Sequence, residues 1–323
     1  MSKARELAEL GAAYDSGALS NRNIIINGAM NVSQRGDYSS ATSLTDDTYF
    51  LDRWLSDLAT VSATIQNVSN GYLSKSKTQK LAATSSATGR IVSIQKIEVS
   101  SYMLGVELTA SAQVKSNSSN ARLFLVDNTN GTVLGVQAHT GGGAFEKLVV
   151  SGTPPTTCTD LRVYVAFRSA AQANVAITSG DFFEFTEVQL ELGTEATPFE
   201  HRSFGDELIR CQRYFFQETG TASNASGILG VASGAATVVF NQSLPVQMRE
   251  KPSVALTSTN LRIGDTVAAG FTTTSGTIAI QTYSGSTSAT YTLGGFSGLT
   301  SYRTYLHEPD ATSTGFVKFD AEL

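Results

Sequence analysis

VELTASAQV, residues 106–114, sets the architecture. Val106, Leu108, Ala110, Ala112 and Val114 fall at every second position, with polar or small side chains between them. That period belongs to a half-buried strand, because successive strand side chains point to opposite faces. RLFLVD (122–127) and RVYVAFRS (162–169) alternate in the same way. Turn chemistry separates such runs: Asn70-Gly71, Asn130-Gly131, Gly141-Gly142-Gly143, Pro154-Pro155 and Ser179-Gly180. NIIIN (23–27) reads as one more compact strand. Many short strands with Gly- and Pro-rich turns and no long helical stripe predict a β-sandwich or jelly roll over residues 22–200.

The strand at 182–192 carries a change of phase. Phe183 and Phe185 share one face, whereas Val188, Leu190 and Leu192 share the other. A slip near Thr186-Glu187 predicts a bulge. After it, Glu187, Gln189 and Glu191 are expected to face solvent, Val188, Leu190 and Leu192 to close the sandwich, and Pro198 to end the strand. Residues 203–216 then read as a helix. Ser203 and Asp206 fit an N-cap and its third-residue partner. Phe204, Leu208, Cys211 and Phe215 recur at helical spacing as one buried face. This segment, 201–217, is expected to connect the sandwich to a smaller C-terminal β domain at 218–323, where ATVVFNQSLPVQM, SVALTST, TIAIQTYS and GFVKFDAEL are strand-like. At the other end, Leu7, Leu10 and Tyr14 form a short helical stripe in residues 2–14. It is marginal alone and is expected to serve attachment or oligomerisation, with a linker to residue 21. The predicted fold class is therefore mainly β.

Composition narrows the function. Of 323 residues, 16% are charged, against roughly 25% in an average soluble protein. Ser, Thr, Asn and Gly fill the difference, a surface suited to extracellular or particle-surface β proteins. A net charge of −5 and no long basic run argue against nucleic acid as a partner. No stretch has the ~20 apolar residues of a membrane span, and the N-terminus lacks a signal-peptide core. Synthesis in a cytoplasm, with later release, is the expectation. Two cysteines, Cys158 and Cys211, are too few for a disulfide framework and read as buried thiols.

Three segments together resemble bacteriophage tail-fibre and related virion-surface proteins. They are NRNIIINGAMNVSQRG (21–36) followed by DDTYFLDRWL (46–55), VQLELGTEATPFEHRSFGDELIRCQRYF (188–215), and LPVQMREKPSV (244–254). Their order and spacing cover nearly the whole chain. The resemblance implies a jelly-roll domain of the carbohydrate-binding-module type and a structural role in a virus particle. It further implies a homotrimer, contact with other virion proteins through the N-terminal segment, and an outer surface facing a glycan or receptor of the host envelope. Tail fibre, tail-tip appendage and capsid fibre all fit it.

Candidate sites are few. Trp54, the single tryptophan, could stack on a sugar ring but reads as core beside Phe50 and Leu51. Arg53 with Asp52 reads as a local ion pair. Asp46, Asp47 and Asp52 lack the Asp-x-Asp-x-Asp-Gly spacing of a calcium loop and read as a solvated turn. His139, His201 and His307 show no metal-ligand spacing, so neither metal nor cofactor is expected. Glu184, Glu187, Glu191, Glu195 and Glu200 raise the question of a glycosidase, which needs two carboxyls at ~5 Å or ~6.5–9.5 Å. Glu187 and Glu191, on one strand, would be ~13 Å apart. No nucleophile elbow or phosphate loop occurs. In the C-terminal domain Tyr283, Tyr291, Tyr302 and Tyr305, with Phe296, are candidate glycan contacts, and equally candidate core or trimer seam.

A non-enzymatic virion protein that binds the host surface is the expected function. A polysaccharide depolymerase on the same particle, and a cement or connector protein without a receptor, are the alternatives.

Overall fold

A computed structural model describes residues 21–72, 76–218, 228–265, 270–308 and 315–323. The stripe of Leu7, Leu10 and Tyr14 lies outside the described residues. The chain divides into two compact units, one ending at Glu207 and the other spanning Leu208–Glu322.

The first unit is a mainly antiparallel β-sandwich. One sheet runs β1 (Thr42–Ser43), β4 (Ala63–Tyr72), β5 (Ser76–Ala83), β13 (Phe182–Leu192), β7 (Leu108–Ser116), β10 (Phe145–Gly152). The other runs β2 (Tyr49–Leu51), β3 (Trp54–Ala59), β6 (Ala87–Ile97), β11 (Leu161–Phe167), β8 (Ala121–Asp127), β9 (Thr132–Ala138), with β12 (Val175–Ile177) against β6. The chain crosses repeatedly from one sheet to the other, as in a jelly roll. Leu108, Ala110, Ala112 and Val114 of β7 are buried in the shared core, as their alternation predicts. Val106 is not: it precedes β7 and is 42% exposed. In β8 both phases are buried. Leu123 and Leu125 enter the main core, while Phe124 and Val126 join a smaller cluster with Leu55, Val92 and Tyr164. Trp54 is core: it is fully buried, edge-on to Phe185 at 5.3 Å, and its Nε1 donates to the Asn27 carbonyl.

The predicted phase change in β13 is present. Pairing with β7 is in register up to Thr186 and resumes at Gln189. Glu187 takes φ +51°, so Thr186 and Glu187 both leave the core face and Val188 returns to it. The strand ends at Leu192, well before Pro198. Leu192 is half exposed, so Val188 and Leu190 alone close the sandwich there.

NIIIN is not a strand. Side chains, not a neighbouring ladder, satisfy most of its backbone. The Gln95 amide donates to the Ile26 carbonyl and accepts the Ile26 N–H. Asn23 Oδ1 accepts the N–H groups of Ile25 and Leu190. A group of side chains from the 188–216 stretch then closes on it. Glu200 accepts the Asn23 N–H, Arg202 donates to the carbonyls of Asn23 and Ile25, and Glu207 accepts the Asn27 N–H. Asn27 is fully buried, and its amide donates to Val32 and Asp52 carbonyls while its Oδ1 accepts the Val32 N–H.

The helix α1 is shorter than predicted, Phe204–Gln212. Its cap is as expected: Ser203 Oγ accepts the Asp206 N–H and donates to Asp206 Oδ2. Its buried face differs. Phe204 is 59% exposed, Leu208 is half-buried, and Phe215 is buried but belongs to a strand. Glu207 and Cys211 occupy the inward positions, because Glu207 is drawn in by Asn27 and Arg202.

In the second unit, β14 (Phe215–Gln217), β23 (Val317–Asp320) and β17 (Ser253–Leu256) form a small sheet. A larger one runs β19 (Gly270–Thr273), β18 (Leu261–Gly264), β22 (Thr304–His307), β15 (Leu229–Ala232), β16 (Thr237–Ser243), β21 (Ser288–Gly294), β20 (Thr277–Ile280). Phe240 stacks on Tyr291 in this sheet, and Tyr291 meets Phe319 of the small sheet edge-on, both at 5.7 Å between centroids.

Gly28 lies where residues 21–28 meet the bulge, and its carbonyl accepts the Val188 N–H. A Cβ at this position would sit 2.1 Å from the Val188 carbonyl oxygen. Gly28→Ala is therefore expected to cost about 1–3 kcal/mol, measured by denaturant unfolding; an unchanged midpoint would contradict the close approach.

Candidate functional site

The outer face of the β4–β5–β13–β7–β10 sheet is where polar chemistry concentrates. On β7, Thr109, Ser111, Gln113 and Lys115 alternate with core residues and point outward. On β13, Glu184, Gln189 and Glu191 do the same. Residues 193–201 fold back over this face. Glu191 accepts from the Thr197 N–H and Oγ1 and from Gln189 Nε2, and Gln189 Oε1 accepts the Glu200 N–H. Lys147 Nζ donates to the Ala196 carbonyl at 3.2 Å. Gln189 and Glu191 are accordingly buried, at 0% and 3% exposure. The expectation that they face solvent fails for this reason: they leave the core, but a loop covers them.

The three carboxylates of β13 have different fates. Glu184 is buried, accepts Thr78 Oγ1 and pairs with Lys115 at 3.5 Å. Its surroundings are aromatic: Phe145 meets Tyr72 edge-on, and Lys115 and Lys80 lie over the Phe145 and Phe182 rings. Glu191 is held by the loop. Glu187, between them, has no hydrogen-bond partner among the described residues and is half-buried. Burial pushes its carboxyl above the usual glutamate range, while the charges of His201 and Lys147 pull the other way.

Glu187 lines a cleft of about 230 Å³ with Ser111, Gln113, Lys147, Thr197 and Phe199. The side chains of Ser111 and Gln113 are also without protein partners among the described residues. Phe199 forms an aromatic wall, its ring edge-on to His201 at 5.0 Å. A carboxylate, an amide and a hydroxyl with unspent hydrogen bonds, beside an aromatic ring, suit a polyhydroxylated ligand. The volume is below the roughly 300–1,000 Å³ of sites that enclose a drug-sized molecule, so the cleft takes part of a chain. Sequence reasoning missed Ser111, Gln113, Lys147 and Phe199. The first two were legible as the outward phase of VELTASAQV.

The C-terminal tyrosines separate. Tyr291 and Tyr305 are core: Tyr291 is fully buried and donates to Glu218 Oε1 at 2.7 Å, and Tyr305 Oη accepts the Thr300 N–H. Neither is available as a glycan contact. Phe296 is also buried. Tyr283 and Tyr302 are exposed, at 70% and 89%, but precede and follow β21 and so stand at its opposite ends. Glu218 also accepts from Val317 N–H and meets His307 Nδ1 at 3.1 Å, so His307 belongs to this buried network.

The remaining candidates have structural roles. His139 is buried, with Nε2 at 3.0 Å from the Ala144 carbonyl and Nδ1 accepting the Gly141 N–H. Among the described residues no group of His, Cys, Asp or Glu is placed to hold a metal. Asp46 and Asp47 are exposed, but Asp52 is fully buried and accepts from the Gln34 side chain and N–H, so it is not part of a solvated turn. Arg53 is buried and donates to the Lys96 carbonyl. Cys158 and Cys211 are both buried, and burial, with a hydrogen bond to Asp127, pushes the Cys158 thiol up to about 11.

No family model and no curated protein matches the chain. Among solved structures, it is similar to the enzymatically active domain of bacteriophage CBA120 tailspike protein 4, at 14% identity and a TM-score of 0.35, over 53% of this chain and 22% of that one. It is similar to TmCBM61, solved in complex with β-1,4-galactotriose, at 12% identity and a TM-score of 0.35, over 54% of this chain and 100% of that one. It is also similar to the family 11 carbohydrate-binding module of the cellulosomal cellulase Lic26A-Cel5E of Clostridium thermocellum, at 12% identity and a TM-score of 0.31, over 49% of this chain and 98% of that one. The chain thus spans under a quarter of the tailspike domain's length and nearly all of the two binding modules.

Two outcomes follow for the residues placed above. The Glu187 carboxyl binds its proton more tightly in the folded chain than in the unfolded one. Its contribution to stability is therefore greatest at acid pH and falls as pH rises through the folded midpoint. Glu187→Gln should gain stability relative to the parent on going from acid to neutral pH, read from paired thermal melts; a pH-independent difference would contradict the burial. Tyr291→Phe leaves Glu218 buried with one donor fewer and should cost about 1–3 kcal/mol in chemical unfolding; a neutral effect would argue against its place in the core.

Proposed function

We propose that this chain is a non-enzymatic surface protein of a bacteriophage particle, and that its sandwich unit binds a glycan of the host envelope in the cleft of Ser111, Gln113, Lys147, Glu187 and Phe199. The cleft's three unpartnered polar side chains beside Phe199 carry this reading. Buried polar groups ordinarily find partners within the fold, so a local group with unspent capacity marks a place for a ligand. The virion setting is supported by the three resembling segments. Two of them, 21–36 and 188–215, are joined in the fold through Asn23, Asn27, Glu200, Arg202 and Glu207. A trimer bearing one cleft per chain, on a particle with several fibres, would turn weak contacts into firm attachment.

Binding is favoured over hydrolysis by the carboxylate count. Either glycosidase geometry needs two carboxyls flanking the bond. Glu187 is the one carboxylate among the described residues lining the cleft, and Glu184 and Glu191 are committed to other partners.

The test is titration of the purified protein with neutral oligosaccharides from bacterial envelopes, followed by calorimetry, with assays for reducing ends and for chain number by sedimentation. Saturable binding, weakened about tenfold or more by Phe199→Ala or Gln113→Ala, with no new reducing ends and three chains per particle, is expected. Binding indifferent to both substitutions, or steady release of reducing ends, would overturn it.

A further inference from the structure

A second cleft, of about 300 Å³, opens at the end of the same sandwich, lined by Ser33, Asp37, Tyr38, Asn67, Ser69 and Lys77. It lies on a different side of the sheet from the first. Asn67 shares its strand face with the core residues Ala63 and Ile65, and Lys77 shares its face with Leu81. This cleft is where β4 and β5 run past the core and residues 33–39 cross their end.

Its chemistry is the reverse of the first cleft's. The carboxylates nearby keep their charge but already accept hydrogen bonds within the fold. Asp37 accepts the Ser39 N–H and hydroxyl at 2.9 and 3.0 Å, and Asp52 accepts from Gln34. Ser33 Oγ donates to the Gly36 carbonyl. Among the described residues, the groups left without partners are the Lys77 ammonium, the Tyr38 phenol, the Ser69 hydroxyl and the Asn67 amide, whose Oδ1 is buried and unbonded. Arg35 and Asp52 both lie near enough to act on the Tyr38 phenol, with opposite signs, so the positive charge facing the cleft is that of Lys77. All four of these groups can donate, and one carries a full positive charge. Charge-assisted hydrogen bonds to an anion are the strongest contacts such a set can make. Asn67 Oδ1 still requires a donor, which a bare anion lacks and a sugar hydroxyl supplies.

We infer that this second cleft is a subsite for an anionic sugar, a pyranose bearing a carboxylate or a phosphate. The acid group would face Lys77 and Tyr38, and a ring hydroxyl would face Asn67. The first cleft, with Glu187 as its unspent charge, would disfavour the same group. The two would then read different residues of one heteropolysaccharide. The inference rests on the glycan-binding reading, and the experiment separates the two.

The experiment is amide-resolved NMR titration of the full chain with D-glucose, D-glucuronate, D-glucose 6-phosphate, acetate and inorganic phosphate. Glucuronate or glucose 6-phosphate should saturate and shift the signals of Tyr38, Asn67 and Ser69, whereas glucose should shift those of Ser111 and Gln113. Lys77→Gln should weaken the anionic sugar about tenfold at Tyr38, Asn67 and Ser69 and leave the glucose response at Ser111 and Gln113 unchanged. Glucose alone binding, at Gln113, would sink the second cleft and spare the first. Acetate or phosphate binding as tightly as the sugar acids would show a bare anion site and overturn the inference. No response to any sugar at either cleft would overturn both readings.

Discussion

Arg202 donates to the carbonyls of Asn23 and Ile25 while Glu200 and Glu207 accept the amides of Asn23 and Asn27. The first unit depends on this closure. Residues 21–28 have no ladder of their own, so the Asn23 and Asn27 amides and the Asn23 and Ile25 carbonyls would lose these partners if the three side chains were removed, and each such group is costly when buried. The same closure places Asn27, which in turn fixes Val32, Asp52 and the indole of Trp54. A cluster of Glu, Arg and His that looks in sequence like an active site is therefore largely a device for holding an irregular segment. Glu187, at the bulge just before it, takes no part in this device and has no hydrogen-bond partner among the described residues.

How the covering loop is held explains why the site is a cleft. Residues 193–201 are kept against the sheet by Glu191, Gln189 and Lys147, through their bonds to Thr197, Glu200 and Ala196. That arrangement buries two of the polar positions of β13 and leaves Glu187 at the margin. The sheet surface thus becomes a wall, the loop a second wall, and Phe199 the apolar part of the rim. In the second unit the equivalent density of polar burial falls on Glu218, which meets Tyr291, His307 and a backbone amide.

Alternation and turn residues made the sandwich legible. VELTASAQV lies where its period places it, apart from Val106, and the phase slip in FFEFTEVQLEL is a real bulge. The capping pair Ser203 and Asp206 was legible because its chemistry is local. What was not legible depended on distant partners. NIIIN has strand composition, but its backbone is claimed by Gln95 and Asn23 side chains, an arrangement no local pattern signals. The helix face was misread because Glu207 turns inward to a partner 180 residues earlier. Likewise, the burial of Gln189 and Glu191 comes from a loop that follows them, and the exposure of Tyr283 and Tyr302 against the burial of Tyr291 and Tyr305 comes from packing of strands far apart in the chain.

The bulge at Glu187 joins two properties that are usually separable. Its left-handed backbone returns Val188 to the core, and its side chain is the cleft's unspent acid. Shifting that acid along the strand would slip every later side chain to the wrong face. On the glycan-binding proposal, variation in ligand preference would fall on residues 193–196 of the roof formed by 193–201, because Thr197 and Glu200 are tied to Glu191, Gln189 and Asn23. A lineage adapting to new surfaces would then keep the acid and the anchored end of the roof and vary the rest.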